Sequence, residues 1–234
     1  MGIDYFKKVH IIFIFLFAAN SLCAQEYSYH EDQRFTSYAA FVSKTWSITS
    51  KMPDGFKDLQ ILVDELLVRA SEGDSGNDMI YCPVIQSNSE DCILMYAFVT
   101  TLYMMDLKDS AAVDNPYEWP QSQIIGEIET SLGLKRECPC CCQRCEPVIA
   151  FDDYVTTLTG GEAKDLFNVD RVYFYDLPVK HAYREKYIHS LGVVLAKKDR
   201  PDMFLKLCFT ENGVKEKEKY IQMLKGKIWY EDAL

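Results

Sequence analysis

The sequence predicts a single α+β domain over residues 25–234, with helices packed on a mostly antiparallel sheet. Segments with strand character outnumber those with helical character, and most follow one another directly, as is typical of antiparallel sheets. Of the 234 residues, 48% are hydrophobic and 13% are aromatic, which is enough to bury one substantial core. No internal repeat or low-complexity tract divides the chain.

The first 24 residues have the pattern of a secretory signal peptide. Lys7 and Lys8 precede an uninterrupted apolar stretch at residues 11–19, and small residues follow it. The stretch is shorter than the ~20 residues that a membrane-spanning helix needs. We therefore expect export to the periplasm or the extracellular space, with cleavage after Ala24 or Cys23. A lipid anchor on Cys23 is the alternative.

The charge of the chain bears on its partners. The formal net charge is −10, and an acidic chain repels nucleic acid phosphates. No later segment is as apolar as residues 11–19, so no membrane span is expected after the signal peptide. The remaining partner classes are another protein or a small ligand.

The first half of the exported chain is predicted to contain a strand that leads into a turn, and then a hairpin. "TWSITSKMPDGFKDL" (45–59) has the character of a strand leading into a proline-glycine turn. "LQILVDELLVRA" (59–70) fits a short helix or a strand. "MIYCPVI" (79–85) and "CILMYAFVTTLY" (92–103) are strand candidates. The second is apolar on both faces, which favours a central strand, whereas Pro83 in the first favours an edge.

The second half begins with a helix at 121–133, "QSQIIGEIETSLG". Ile124, Ile125, Ile128 and Leu132 form its apolar stripe, and Gly133 is placed to end it. Beyond the cysteine-rich run, the sequence predicts a short helix after Gly161, a strand at 170–178 and a loop at 179–187. A hairpin follows, formed by 188–198 and 201–210 and turning at Asp199-Arg200. The last predicted element is an amphipathic helix within 211–230 that has Thr210 as N-cap.

Both ends of the chain resemble one known family. The entry "SITSKMPDGFKDL", the closing strands "IHSLGVVLAKK" and "PDMFLKLCFT", and the C-terminal amphipathic helix look like a PsbP-like α/β/α sandwich. The resemblance does not extend to the middle of the chain. It implies a binding platform and no particular chemistry, since that fold has no shared active site.

The stretch "ECPCCCQRCEP" (137–147) is the most unusual feature of the sequence. The exported chain contains eight cysteines, and an even count in an exported protein favours disulfides. A disulfide-tied loop is thus the preferred interpretation. Redox catalysis is disfavoured, because the run follows the negative C-terminal end of a predicted helix, which does not lower a thiol pKa.

A metal site is the alternative for this stretch. Cys138 and Cys141 form one CxxC pair, Cys142 and Cys145 form another, and four thiolates can hold a metal tetrahedrally. Because the two pairs abut, they suit Cu(I) in a thiolate cluster better than a structural zinc ion. No other cofactor is expected.

A specific disulfide is predicted in the first hairpin. If Ile85 lies opposite Ser89 in an antiparallel pair, then Cys82 falls opposite Cys92. Opposed residues in a non-hydrogen-bonded pair have Cα atoms ~4.5 Å apart, within the range that a disulfide spans. The alternative is two buried thiols in different strands.

Two further patterns bear on catalysis. "GDSGN" around Ser75 resembles the nucleophile segment of chymotrypsin-like proteases, but the later histidines stand in the wrong order, and a plain turn is the better interpretation. His181, Glu185 and His189 would share one face of a helix and could bind zinc, although this segment lacks helical character.

The function predicted from the sequence is therefore an exported, non-catalytic binding or interaction domain. One alternative is an exported copper- or zinc-thiolate protein. A second is a hydrolase whose site the sequence does not reveal.

Overall fold

The computed structural model describes residues 34–60, 80–98, 117–134, 147–183 and 185–232. The described helices are α1 (Phe35–Trp46), α2 (Glu118–Leu132), α3 (Phe151–Tyr154), α4 (Gly160–Phe167) and α5 (Lys217–Met223), with a 3-10 helix at Gly213–Glu216. The described strands are β1 (Ile48–Ser50), β2 (Phe56–Asp58), β3 (Ile80–Ser87), β4 (Cys92–Phe98), β5 (Val155–Thr159), β6 (Arg171–Tyr183), β7 (Tyr187–Ala196), β8 (Met203–Phe209) and β9 (Ile228–Tyr230).

Seven strands form one antiparallel sheet in the order β2-β3-β4-β8-β7-β6-β5, and β1 pairs with β9 in a second, two-stranded sheet. Every pairing within the large sheet is antiparallel. The predicted α+β class and the predicted hairpin of the two closing strands, β7 and β8, are confirmed.

Helices cover both faces of the large sheet. α1 contacts it through Tyr38, whose ring centroid lies 5.2 Å from that of Tyr96. Tyr96 pairs with Leu205, and therefore shares its face of the sheet. α2 contacts the neighbouring residue, Phe204, through Trp119 at 5.6 Å. Because successive strand residues point to opposite faces, α1 and α2 lie on opposite sides of the sheet.

Burial on two faces explains the composition of the central strands. All seven residues of β8 and eight of the ten in β7 are buried, and their sequences are nearly continuous apolar runs. The prediction that "CILMYAF" is a central strand is confirmed, since β4 lies between β3 and β8.

The C-terminal segment differs from the prediction of one long helix over 211–230. The Thr210 hydroxyl accepts a hydrogen bond from the Gly213 amide at 3.1 Å, but it precedes a 3-10 helix at Gly213–Glu216, and α5 begins only at Lys217. The helix ends at Met223, and Gly226 then adopts a left-handed φ of 67°. Ile228–Tyr230 continue as β9, so residues near both ends of the described chain meet in one small sheet.

Other elements also differ from prediction. The helix Phe35–Trp46 was not predicted, although Phe35, Tyr38, Val42 and Trp46 bury one helical stripe. The edge strand β5 was missed as well. The predicted loop at 179–187 is wrong, because β6 continues to Tyr183 and forms a hairpin with β7.

The β3–β4 hairpin is confirmed, but its predicted register is wrong. Ile85 lies opposite Leu94 rather than Ser89. The residue beside Cys92 is Ser87, whose Oγ accepts a hydrogen bond from the Cys92 amide at 3.0 Å. Cys82 is five residues further along β3, which is about 16 Å at ~3.3 Å per residue, well beyond the ~7 Å limit for a disulfide.

Pro83 stands at an irregularity in the β3–β4 pair. β3 is not an edge strand as predicted, because β2 pairs beside it. The register of the β3–β4 pair shifts between Tyr81 and Val84, where Pro83 stands. A proline inside a sheet is tolerated at such an irregularity, since the residue has no amide hydrogen to donate.

Candidate functional site

A surface groove lies at one end of the large sheet, between β6 and β7 and the start of α5. Its volume is about 310 Å³. Strands β6 and β7 run antiparallel there, with Asp176 opposite Leu191 and Pro178 opposite His189. The groove is lined by Asp176, Leu177, Pro178, Ile188, His189, Ser190, Leu191, Phe209, Val214 and Lys217.

The floor of the groove is apolar. Leu177, Leu191 and Phe209 are each at most 6% exposed and belong to the core. Ile188 lies at the margin and is 38% exposed, so it adds an accessible apolar side chain at the border of this floor. An apolar group entering the groove would therefore meet an ordered hydrophobic surface.

The rim of the groove carries both signs of charge. Lys217 Nζ lies 3.9 Å from Asp176 Oδ1, so this pair connects α5 to β6. His189 Nε2 lies 3.5 Å from Glu211 Oε2. All four side chains are well exposed, between 38% and 80%. Exposed pairs at these distances contribute little stability, so a ligand can replace them at low cost.

The sequence had singled out His189, but in a different arrangement. His181 lies in β6, Glu185 in the turn with a φ of 60°, and His189 in β7. A helical His-x₃-Glu-x₃-His zinc site is therefore wrong, because the three residues belong to a β-hairpin. Ser190, which follows His189, is buried, and its Oγ lies 3.9 Å from Cys208 Sγ, so it contacts the core.

A second polar cluster is buried between α2 and the sheet. Lys206 on β8 is 3% exposed, and its Nζ lies 2.6 Å from Glu127 Oε1. The hydroxyl of Tyr175 on β6 donates a 2.6 Å hydrogen bond to Glu127 Oε2. Each carboxylate oxygen thus has a charged or hydroxyl partner, which offsets the large cost of burying the ions.

Gly192 makes room for this cluster. It lies on β7 between Tyr175 and Lys206, opposite both in the sheet. A Cβ at position 192 would lie 2.2 Å from Cζ of Tyr175, so the tyrosine ring occupies the space above the glycine. The absence of a side chain here lets the Tyr175 hydroxyl reach Glu127.

Cys92 on β4 and Cys208 on β8 are free thiols buried in the sheet. Burial raises the pKa of Cys208, although the Lys206 ammonium and the hydrogen bond to Ser190 lower it in part. Burial also raises the pKa of Cys92 well above its ordinary value, with Cys208 and Asp91 adding to the effect. Both sulfurs are therefore held as neutral thiols, the unreactive form.

The predicted metal ligands Cys138, Cys141, Cys142 and Cys145 lie outside the described residues. The described residues on either side of them are Leu134, two residues after the end of α2, and Pro147. Glu129, which is 2% exposed, contacts both of these flanks. Its carbonyl accepts a hydrogen bond from the Leu134 amide at 2.9 Å, and its Oε1 accepts one from the Val148 amide at 2.6 Å.

Within the described ranges, no three His, Cys, Asp or Glu side chains are placed to hold one metal ion. Among the helices of the same ranges, none combines the length and apolar character that a bilayer span requires.

Glu127, Lys206 and the rim residues Asp176, Glu211 and Lys217 were not predicted from the sequence. Lys206 had a signal, because it is the single charge in the apolar strand "MFLKLCF" and such a lysine needs a buried partner. The sequence contains a weaker indication for Glu127, which stands next to Ile128 of the predicted apolar stripe. Nothing in the sequence indicated Asp176, Glu211 or Lys217, because each is an ordinary exposed charged residue in its own segment.

Comparison with known proteins gives no match to this chain among family models, curated proteins or solved structures.

Proposed function

We propose that this chain is an exported binding domain that takes a small amphipathic ligand in the groove between β6, β7 and α5. The observation that carries the proposal is the combination of an apolar floor with exposed, loosely paired charges of both signs. Ligand sites typically combine such apolar walls with a few polar groups that fix orientation. The PsbP-like resemblance of the chain ends, with its implied binding platform, agrees with this role.

The chemistry of the groove defines the ligand class. A volume of about 310 Å³ is at the small end for ligand sites. The ligand therefore has one compact apolar group, such as a single ring or a branched aliphatic chain. A carboxylate or sulfonate on it would contact Lys217, and a cationic group would contact Asp176 or Glu211.

Binding of an aromatic sulfonate probe tests this proposal. Anilinonaphthalene sulfonate should bind the folded chain saturably, with a fluorescence increase. Ile188→Asp should abolish this binding, because it places an anion on the apolar margin. Lys217→Glu should weaken it about tenfold, which corresponds to ~1.4 kcal/mol.

Lys219→Glu is the matched control for the charge change. Lys219 is paired with Glu216 at 2.6 Å and is not among the groove residues, so its replacement should leave probe affinity within twofold. Thermal melts of all variants show whether each is folded. Equal affinity of the wild type, Ile188→Asp and Lys217→Glu would refute the groove as the binding site.

Export is tested separately. The lysines at 7 and 8, the apolar stretch 11–19 and the small residues after it motivate this part of the proposal. Mass spectrometry of the chain recovered outside the cytoplasm should show Ala24 or Gln25 as the first residue. A chain that retains Met1 would contradict cleavage, and a diacylated Cys23 would establish the lipid anchor instead.

A second candidate function is soft-metal binding by Cys138, Cys141, Cys142 and Cys145. The observation that favours it is the anchoring of both flanks of residues 135–146 to Glu129. Fixing the two ends of a cysteine-rich segment lowers the entropy cost of gathering its thiolates around one ion.

The test uses reduced, anaerobic protein offered Cu(I) or Zn²⁺. Bound metal should reach one or more ions per chain and should be lost when the four cysteines are changed to serine. Cys208→Ala is the control, because it removes a thiol buried in β8 and should not change the stoichiometry. If the reduced wild type binds no metal and the oxidised protein contains disulfides, the metal hypothesis is contradicted and the segment is a disulfide-tied loop.

A further inference from the structure

β5 forms one edge of the seven-stranded sheet. Within the described part of the chain it pairs with β6 alone, over Val155–Thr159 opposite Arg171–Tyr175. In an antiparallel edge strand, alternate residues direct their N–H and C=O groups away from the sheet. This edge therefore presents hydrogen-bonding groups suited to one more strand.

The edge lacks the features that usually prevent such pairing. Its sequence, "VTTLT", contains no proline and no charged residue, and no bulge interrupts its register with β6. Thr156, Thr157 and Thr159 are exposed. Threonine and valine are also the residue types most compatible with extended structure.

The residues flanking the edge carry negative charge. Asp152 and Asp153 precede β5 in α3, and Glu162 follows it in α4; all three are exposed. None of the three forms an ion pair in the part of the chain that the structure describes. Tyr154, which is 44% exposed, adds an aromatic ring at the start of the strand.

This charge pattern decides between possible partners. If β5 of a second copy paired here, antiparallel pairing would bring Asp152 and Asp153 towards Glu162, and parallel pairing would bring like residues together. Both arrangements juxtapose carboxylates, which is unfavourable. A segment with Lys or Arg at its ends would instead be attracted from either direction.

We propose that β5 accepts an extended, basic segment of another protein by β-strand addition. The Val155 amide already donates to the Phe151 carbonyl, so main-chain hydrogen bonds to the outward-facing groups of the rest of β5 provide the pairing. The flanking carboxylates select lysine- or arginine-bearing segments. This surface is separate from the groove and does not depend on the function proposed there.

The experiment uses the full chain and a nine-residue peptide of alternating valine and threonine with two lysines at each end. The peptide should bind saturably and lose affinity as salt rises. Amide hydrogen exchange should slow at alternate residues of 155–159. A peptide with glutamates in place of the lysines should bind at least tenfold more weakly, and one N-methylated at alternate core amides should not bind.

Charge reversal on the protein should reverse this preference. D152K/D153K changes two exposed residues outside the strand, so folding is preserved, and it should favour the glutamate-flanked peptide. E216K/E218K makes the same charge change at two exposed residues that lie outside both β5 and the groove, and it should keep the wild-type preference. Equal binding of both peptides, protection of all β5 amides in the free chain, or a dimer through β5 in light scattering would each overturn the proposal.

Discussion

Replacing Glu127 with leucine should lower the free energy of unfolding by about 3–5 kcal/mol. Lys206 is 3% exposed, and the change removes the carboxylate that lies 2.6 Å from its ammonium. It also removes the acceptor of the Tyr175 hydroxyl. A buried charge that loses its counter-ion pays most of its desolvation cost without compensation. Urea unfolding followed by circular dichroism measures the change.

The double variant E127L/K206M separates this effect from general loss of packing. Removing both charges eliminates the desolvation cost, so the double variant should recover most of the stability lost in Glu127→Leu. Glu162→Leu, the same substitution at an exposed position of α4, should change stability by less than about 0.5 kcal/mol. A double variant no more stable than Glu127→Leu would show that the ion pair is not the origin of the loss.

Gly192→Ala should lower the free energy of unfolding by about 2–3 kcal/mol. The added Cβ would lie 2.2 Å from Cζ of Tyr175, closer than any real contact of this type. Either the tyrosine ring moves and its hydrogen bond to Glu127 breaks, or the β6–β7 pair separates locally. Both outcomes are costly because the site is buried beneath α2.

A second substitution tests this explanation. G192A/Y175L removes the ring that the new methyl would meet, so the penalty of the alanine should be smaller there than in the wild-type background. Gly161→Ala is the control: no atom outside its immediate chain neighbours and its own helix backbone lies within 4 Å of an added Cβ, and the residue is in α4. It should be neutral or slightly stabilising, since alanine favours helix over glycine. Equal penalties at positions 161 and 192 would contradict the steric account.

Local sequence pattern was sufficient to predict several elements whose apolar residues recur regularly, although it did not reveal the helix Phe35–Trp46. The closing hairpin, the apolar strand β4 and the helix with Ile124, Ile125 and Ile128 were all recognised, because their apolar residues repeat with the period of the element. Leu132 was assigned to the same stripe but is 41% exposed, since the helix ends there at Gly133. Patterns are least informative in such terminal turns.

The short strands missed by sequence reasoning depend on hydrogen-bond partners elsewhere in the chain. β9 is three residues long and exists because Ile48–Ser50 lie alongside it. β5 has few apolar residues, and is a strand because β6 provides its hydrogen bonds. Strands this short have no stability of their own, so their local sequence carries little information.

The sequence by itself determined the α+β class, the main hairpins and the presence of a cysteine-rich segment. Tertiary structure alone decided the register that separates Cys82 from Cys92, the meeting of Glu127 with Lys206, and the groove shared by β6, β7 and α5. Periodicity is a local property of the chain, whereas register, counter-ions and concave surfaces depend on which distant side chains come together. Those contacts are selected by the free energy of the whole core.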